Sequence, residues 1–259
     1  MSQTQKILDE LTFKYRTSMS ELLDEIESTL TQLTYHSQNE EVWGDLLRRV
    51  HSFTGSSGTF GFLEISHTAQ KLEKNIAKLV GQRKVNRSEL DQAWMIFGVL
   101  RAEVNKKQKE LKGQLVSPEC PLTFSSEHLQ ISPSNIFIVS DDEYFSEWLK
   151  NLLMEDSHTI HVVACPKKAL SHKDLSKCDF IFSDVLLSEM SGYEFAKELR
   201  KQQNDRYIPI IFITSITGDM NRLECIKAGG DAVLNKPVSI EMVRAELFVL
   251  QRLIEQTSI

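Results

Sequence analysis

No proline occurs before Pro118, and all six prolines of the 259 residues fall at or after it, so the first 117 residues lack the strongest breaker of helices. Their apolar residues follow a helical period. Ile7, Leu11, Tyr15, Met19, Leu22, Leu23, Ile26, Leu30 and Leu33 recur at three- and four-residue steps and mark one face of a long helix. A second helix carries Trp43, Leu46, Leu47 and Val50 and runs into HSFTGSSGTFGF, whose three glycines are expected to end or reshape it. Phe62, Ile65, Ala69, Leu72, Ile76 and Leu79 form a third stripe. Leu90, Ala93, Trp94, Phe97, Leu100 and Val104 form a fourth, on a helix reaching about Leu111. Four such stripes with short connections predict an antiparallel four-helix bundle over residues 1–113.

The periodicity lapses between Gly113 and Ser134, where Pro118, Pro121 and Pro133 sit in a stretch rich in Ser and Thr; residues 114–134 read as a linker. From 135 to 259 short apolar runs alternate with helical segments: NIFIVS, TIHVVA, DFIFSD, IPIIFIT and DAVLNK as strands, with helices near Trp148–Leu153, Gly192–Gln202 and Met220–Ala228 and from Ile240. Five such β–α units predict a doubly wound, flavodoxin-like α/β sheet whose function lies at the carboxyl ends of its strands.

Composition narrows the function classes. A net charge of −6 supplies no sequence-wide basic field for phosphate backbones, so no nucleic-acid partner is expected. Cys120, Cys165, Cys178 and Cys225 are scattered without CxxC pairing and read as reduced thiols. No segment approaches the length of a membrane span and the N-terminus has no leader pattern, which together point to a cytoplasmic protein.

The chemistry gathers at the predicted strand ends. Asp141 and Asp142 follow the first strand, Asp184 ends the third, Thr214 and Ser215 end the fourth, and Lys236 with Pro237 follows the fifth. In a doubly wound sheet these ends converge on one crevice. Close carboxylates repel one another unless a divalent cation binds them, and an all-oxygen donor set favours Mg²⁺. Asp184 is then placed as a nucleophile forming an acyl phosphate, with Lys236 and the Thr214 hydroxyl serving the phosphoryl oxygens.

The constellation of DD at 141–142, DVLLSEMSG at 184–192, PIIFITS at 209–215 and AGGDAVLNKP at 228–237 resembles the response-regulator receiver family over about residues 134–256. The resemblance implies that Asp184 is the phosphorylated residue. It also implies that Asp141 or Asp142, Asp184 and the Leu186 carbonyl hold Mg²⁺, that Thr214 and Lys236 respond to the phosphate, and that Ser215 is the small residue admitting it. Ser188 stands where the family usually has proline, and Val233 where it often has an aromatic residue.

His51 lies one step past Val50, at the edge of the core stripe, and is expected to be partly exposed, with Thr54 and Gly55 on its face. Neutral imidazole, with an ordinary pKa of ~6.5, offers a usable nucleophilic nitrogen without an elaborate base. RRVHSFTGSSGTFGFLEISHTAQKLE resembles the signature segment of histidine-phosphotransfer domains, over about residues 5–112, and implies that His51 is the phospho-acceptor. Thr54 replaces the lysine that usually follows the histidine by three residues, and Arg48 lies one turn earlier.

No ATP-binding pattern such as GxxxxGK[ST] occurs, so the phosphoryl group is expected from another protein or a small phosphodonor. The chain reads as a phosphorelay carrier rather than a kinase, exchanging phosphoryl groups on His51 and Asp184 with a histidine kinase, other receiver or histidine-phosphotransfer proteins, or between its own halves. A linker of roughly 20 residues extends to ~65 Å and permits that internal encounter. Two other readings are a binding module whose receiver switches docking of an unphosphorylated bundle, and the sensory front of a longer protein whose output domain follows Ile259.

Overall fold

The computed structural model describes residues 3–35, 39–80, 85–110, 131–202, 207–215 and 219–257. The chain divides into two compact units, Met1–Glu119 and Cys120–Ile259. The expected linker lies outside the described residues from 114 to 130, as does the expected helix end at Leu111.

The first unit is four helices: α1 (Gln3–Tyr35), α2 (Glu40–Thr59), α3 (Leu63–Leu79) and α4 (Arg87–Glu110). Their boundaries are written locally. Asn39 caps α2 by accepting from the amides of Glu41 and Val42 at 3.1 and 3.3 Å. Asn86 and Glu89 form a reciprocal box at the start of α4, each amide donating to the other's side chain at 2.9 Å. The predicted stripes make the core, with Tyr15, Met19, Ile26, Leu46, Val50, Ala69, Leu72, Phe97 and Leu100 all buried. Tyr15 stacks on Phe60 at 4.8 Å, and its hydroxyl shares a hydrogen bond with Ser57 Oγ at 2.9 Å and donates to the Phe53 carbonyl at 3.2 Å.

The glycine-rich segment departs from expectation, because α2 runs unbroken through Gly55 and Gly58 to Thr59. Both glycines are enclosed, and Thr54 and Thr59 return their hydroxyls to the carbonyls of Val50 and Gly55, so packing and local bonds offset the weak helix propensity of glycine. Only Gly61, at φ 81°, ends the helix: its amide donates to the Gly58 carbonyl at 3.1 Å and that of Phe62 to the Ser57 carbonyl at 2.8 Å. A Gly61→Ala variant is expected to lose about 1–2 kcal/mol of bundle stability, the cost of a Cβ in the left-handed region, read as a lowered denaturant midpoint.

The second unit is a five-stranded parallel sheet in the order β2-β1-β3-β4-β5, built from β1 (Asn135–Val139), β2 (Thr159–Val163), β3 (Phe180–Asp184), β4 (Ile210–Thr214) and β5 (Ala232–Asn235). Its helices are α5 (Glu143–Glu155), α6 (Pro166–Leu170), α7 (Gly192–Gln202), α8 (Asp219–Lys227) and α9 (Ile240–Thr257). Strands β3 and β4 are buried at every residue, as a parallel sheet covered on both faces requires. On one face Phe137, Val139, Ile181, Ile210 and Phe212 pack with Ala169 of α6, Phe195 and Leu199 of α7, and Cys225 of α8. Arg244 of α9 closes on Asp156, just past α5, through two hydrogen bonds of 2.7 and 3.0 Å. The strand order reverses between β1 and β3, which opens a crevice at their carboxyl ends.

Candidate functional site

Asp141 and Asp142 follow β1, and Asp184 is the last residue of β3, its neighbour in the sheet. Asp142 is buried and divides its two oxygens: Oδ1 accepts the amide of Phe145 at 3.0 Å and so caps α5, while Oδ2 lies 3.8 Å from Lys236 Nζ. Asp184 is also buried. Its Oδ2 accepts from Lys236 Nζ at 2.7 Å and from Ser140 Oγ at 3.5 Å, and its Oδ1 accepts from the amide of Val185 at 3.0 Å. Ser140 Oγ in turn accepts the amide of Asp142 at 3.2 Å, so one hydroxyl ties both acidic positions. Lys236 follows β5, its ammonium sits 4.1 Å above the ring of Phe145, and its amide donates to the Thr214 carbonyl at 2.8 Å. Burial by itself would push the Lys236 ammonium down, but the charges of Asp184 and Asp142 outweigh it and hold the group above its ordinary value.

Asp141 stands at the exposed mouth, its carboxyl accepting the amide of Ser188 at 3.0 Å. Residue 141 is open to solvent, yet enough protein surrounds its carboxyl end that desolvation, followed by the charge of Asp184, raises its pKa. The sign follows: a carboxyl whose folded pKa is raised loses stability as pH climbs from the ordinary aspartate range through that raised value. Asp141→Asn is therefore expected to raise the melting temperature at neutral pH in metal-free buffer, with the gain vanishing below the ordinary aspartate range. A variant no more stable than wild type at pH 7 contradicts this.

Carboxylates that repel one another and offer oxygen ligands fit a hard divalent cation such as Mg²⁺. Asp141, Asp142, Asp184, Thr214 and Lys236 thus meet at neighbouring strand ends, with Thr214 and Ser215 buried at the end of β4. Leu186 is half-buried in the loop two residues past Asp184. Three further contributors, Ser140, Phe145 and Gly192, were assigned no role at the site from the sequence. Only Gly192 left a trace, as the glycine of DVLLSEMSG; it opens α7, and a Cβ there would lie 2.1 Å from the Asp184 carbonyl oxygen.

In the four-helix unit His51 is 1% exposed, which corrects the expected partial exposure. Position 51 lies three residues before Thr54, whose carbonyl accepts Ser66 Oγ of α3 at 2.8 Å, so this side of α2 faces α3. From α3, Glu73 Oε1 meets His51 Nδ1 at 2.8 Å. The other Glu73 oxygen is buried without a hydrogen-bond partner among the described residues. The Leu72–Glu73 pair is visible in the sequence, but nothing in its spacing pairs Glu73 with a histidine 22 positions away.

These features define a two-part chain, one half holding a buried histidine within a helical bundle and the other an aspartate at a strand end. Residues 10–110 match the Hpt domain and residues 136–248 the response regulator receiver domain, so the chain carries an Hpt domain followed by a receiver domain. Over 123 residues it is 28% identical to the transcriptional regulatory protein TcrA of Mycobacterium tuberculosis, covering 48% of each chain. It is 28% identical over 114 residues to a histidine kinase of Formosa agariphila, covering 44% of this chain and 8% of that protein. Among solved structures it is similar to a two-component response regulator from Clostridium difficile, at 28% identity and a TM-score of 0.43, covering 46% of this chain and 96% of that one. The chain spans about half the length of curated relatives such as TcrA.

Proposed function

We propose that this protein relays phosphoryl groups through Asp184 and His51, exchanging them with a histidine kinase, with other receiver or Hpt proteins, or between its own domains. The carrying observation is the buried Asp184 carboxylate, held by Lys236 at 2.7 Å between two further acidic residues. In the forward step an Asp184 oxygen attacks the phosphorus of a phosphohistidine. A P–O bond forms as the P–N bond breaks, and the imidazole, protonated at its other ring nitrogen, departs as a neutral ring with the bonding pair returned to the nitrogen that held phosphorus. Mg²⁺, held by Asp141 or Asp142, Asp184 and the Leu186 carbonyl, supplies neutralisation of the phosphoryl charge when bound. Lys236 gives up its bond to Asp184 and pairs with a phosphoryl oxygen, Thr214 donates its hydroxyl to another, and the small Ser215 leaves room for the group.

On the bundle, Glu73 orients His51. An Nδ1–H donated to the carboxylate leaves the lone pair on Nε2, the nitrogen that accepts phosphorus. Transfer requires that Nε2 edge to be uncovered when the phosphoryl group arrives. In this scheme residues 1–113 serve as the Hpt domain, 114–134 as the linker and 135–259 as the receiver. It includes no ATP-dependent kinase step, no nucleic-acid partner and a cytoplasmic setting. Among the described residues Cys165, Cys178 and Cys225 form no disulfide, and no helix is long and apolar enough to cross a membrane.

Intact-mass spectrometry after incubation with Mg²⁺ and a small phosphodonor tests it on wild type, Asp184→Asn and His51→Gln. One added phosphate lost in Asp184→Asn is expected, together with an acid-labile phosphohistidine on wild type once a phosphorylated partner receiver or the protein's own Asp184 donates. An adduct that persists in Asp184→Asn sinks the aspartate assignment. A phosphohistidine that persists in His51→Gln sinks the histidine assignment.

A further inference from the structure

We propose that His161, His172 and Asp174 form a second cation site, selective for a borderline transition-metal ion such as Zn²⁺ and separate from the strand-end carboxylates. One ligand atom from each residue lies within 4.8 Å of the others, and all three residues are half-buried, neither sealed from solvent nor fully solvated. The residues come from two segments. His161 sits on the edge strand β2 opposite Phe137 of β1, while His172 and Asp174 follow α6.

The two rings are already ordered. Phe137 stacks on His161 at 4.8 Å and meets His172 edge-on at 5.1 Å, which brings the imidazole centroids to 5.5 Å. The His172 Nδ1 accepts the Asp174 amide at 3.2 Å, joining the second imidazole to the residue that supplies the carboxylate. Ligands on a tetrahedral zinc lie about 3.4 Å apart, given metal–ligand bonds near 2 Å, so loading the site draws the three atoms together by roughly an ångström. Asp174 is the group free to make that move, since its present partner is the exposed ammonium of Lys177 at 3.4 Å.

Two imidazoles and one carboxylate match zinc, copper or nickel and suit Mg²⁺ poorly, whereas the strand-end pocket offers, among the described residues, carboxylate and carbonyl oxygens. Three protein ligands leave at least one position for water, so the site is an open clasp rather than a closed structural centre. Its effect is to fasten the sheet's edge strand to the segment after α6.

The test is a Zn²⁺ titration of the full chain against a competing chromophoric chelator, with Mg²⁺ in excess to occupy the carboxylate pocket. One equivalent is expected to be withheld from the chelator. His161→Gln and His172→Gln should each weaken it at least tenfold, and Asp174→Asn, which leaves both rings in place, should weaken it as well. Asp184→Asn should leave it unchanged, so the outcome is independent of the relay reading. Should the histidine variants fold poorly, ¹⁵N imidazole resonances of the wild type decide: Zn²⁺ must shift two histidines together, and those two must be His161 and His172. No withheld equivalent, or one that survives both histidine substitutions, overturns the proposal.

Discussion

Replacing Gly192 by alanine is expected to destabilise the receiver half by about 3 kcal/mol or more, at the top of the usual range for overpacking. The added Cβ would sit 2.1 Å from the Asp184 carbonyl oxygen and 3.1 Å from both the Asp184 carbonyl carbon and Val185 Cα. All three are backbone atoms, so no rotamer change relieves the clash. The same contact is pinned by the Gly192 amide, which donates to the Val185 carbonyl at 2.8 Å. Either α7 withdraws and breaks that bond, or the end of β3 shifts and carries Asp184 with it. For a domain of this size the melting temperature should fall by ~10 °C or more. Phosphate uptake at Asp184 should fall too, even at temperatures where the variant stays folded. A variant with wild-type melting and labelling would show that the approach of α7 to Asp184 is looser than the structure has it.

Lys236→Met is expected to be as damaging in metal-free buffer, because it removes the cation between Asp184 and Asp142 while filling much of the same space over Phe145. Removing one partner of a buried ion pair costs about 3–5 kcal/mol, since the other charge is left without compensation. Mg²⁺ should return part of that loss, as a divalent ion can stand against the same carboxylates, so the gap in melting temperature between variant and wild type should narrow as Mg²⁺ is added. The lysine side of the pair is insensitive to ordinary pH. A lysine whose folded pKa is raised contributes stability that is fully present below its ordinary value, and loses it only as pH rises through the raised one. A gap that Mg²⁺ leaves unchanged would mean that the cation does not meet the Lys236 partners.

The placement of the acidic and basic residues at the strand ends was legible because it is local in two senses. Each acidic or basic residue sits directly after a short apolar run, and a parallel sheet carries the ends of such runs to one edge. The start of α4 is just as local, since Asn86 and Glu89 satisfy each other across three residues. What escaped was decided by distant parts of the chain. Gly55 and Gly58 looked like breakers, yet they remain helical inside a segment that Tyr15, far upstream, pins through Ser57 and Phe53. His51 looked like a surface residue, and the side of α2 that carries it turned out to face α3 and Glu73. The bond from the Ser188 amide to Asp141 was equally invisible: a proline at 188, as the receiver family usually has, would have no N–H to give.

Asp142 holds the first turn of α5 with one oxygen and faces Lys236 with the other. Two equilibria, the fraying of a helix end and the occupancy of an ionic pocket, therefore share a single side chain and cannot vary independently. Anything that draws the carboxylate toward the pocket tugs on the Phe145 amide, and anything that loosens that turn frees the carboxylate to wander. The protein thus carries its own gauge of what the pocket holds: the exchange rate of one amide hydrogen, at Phe145.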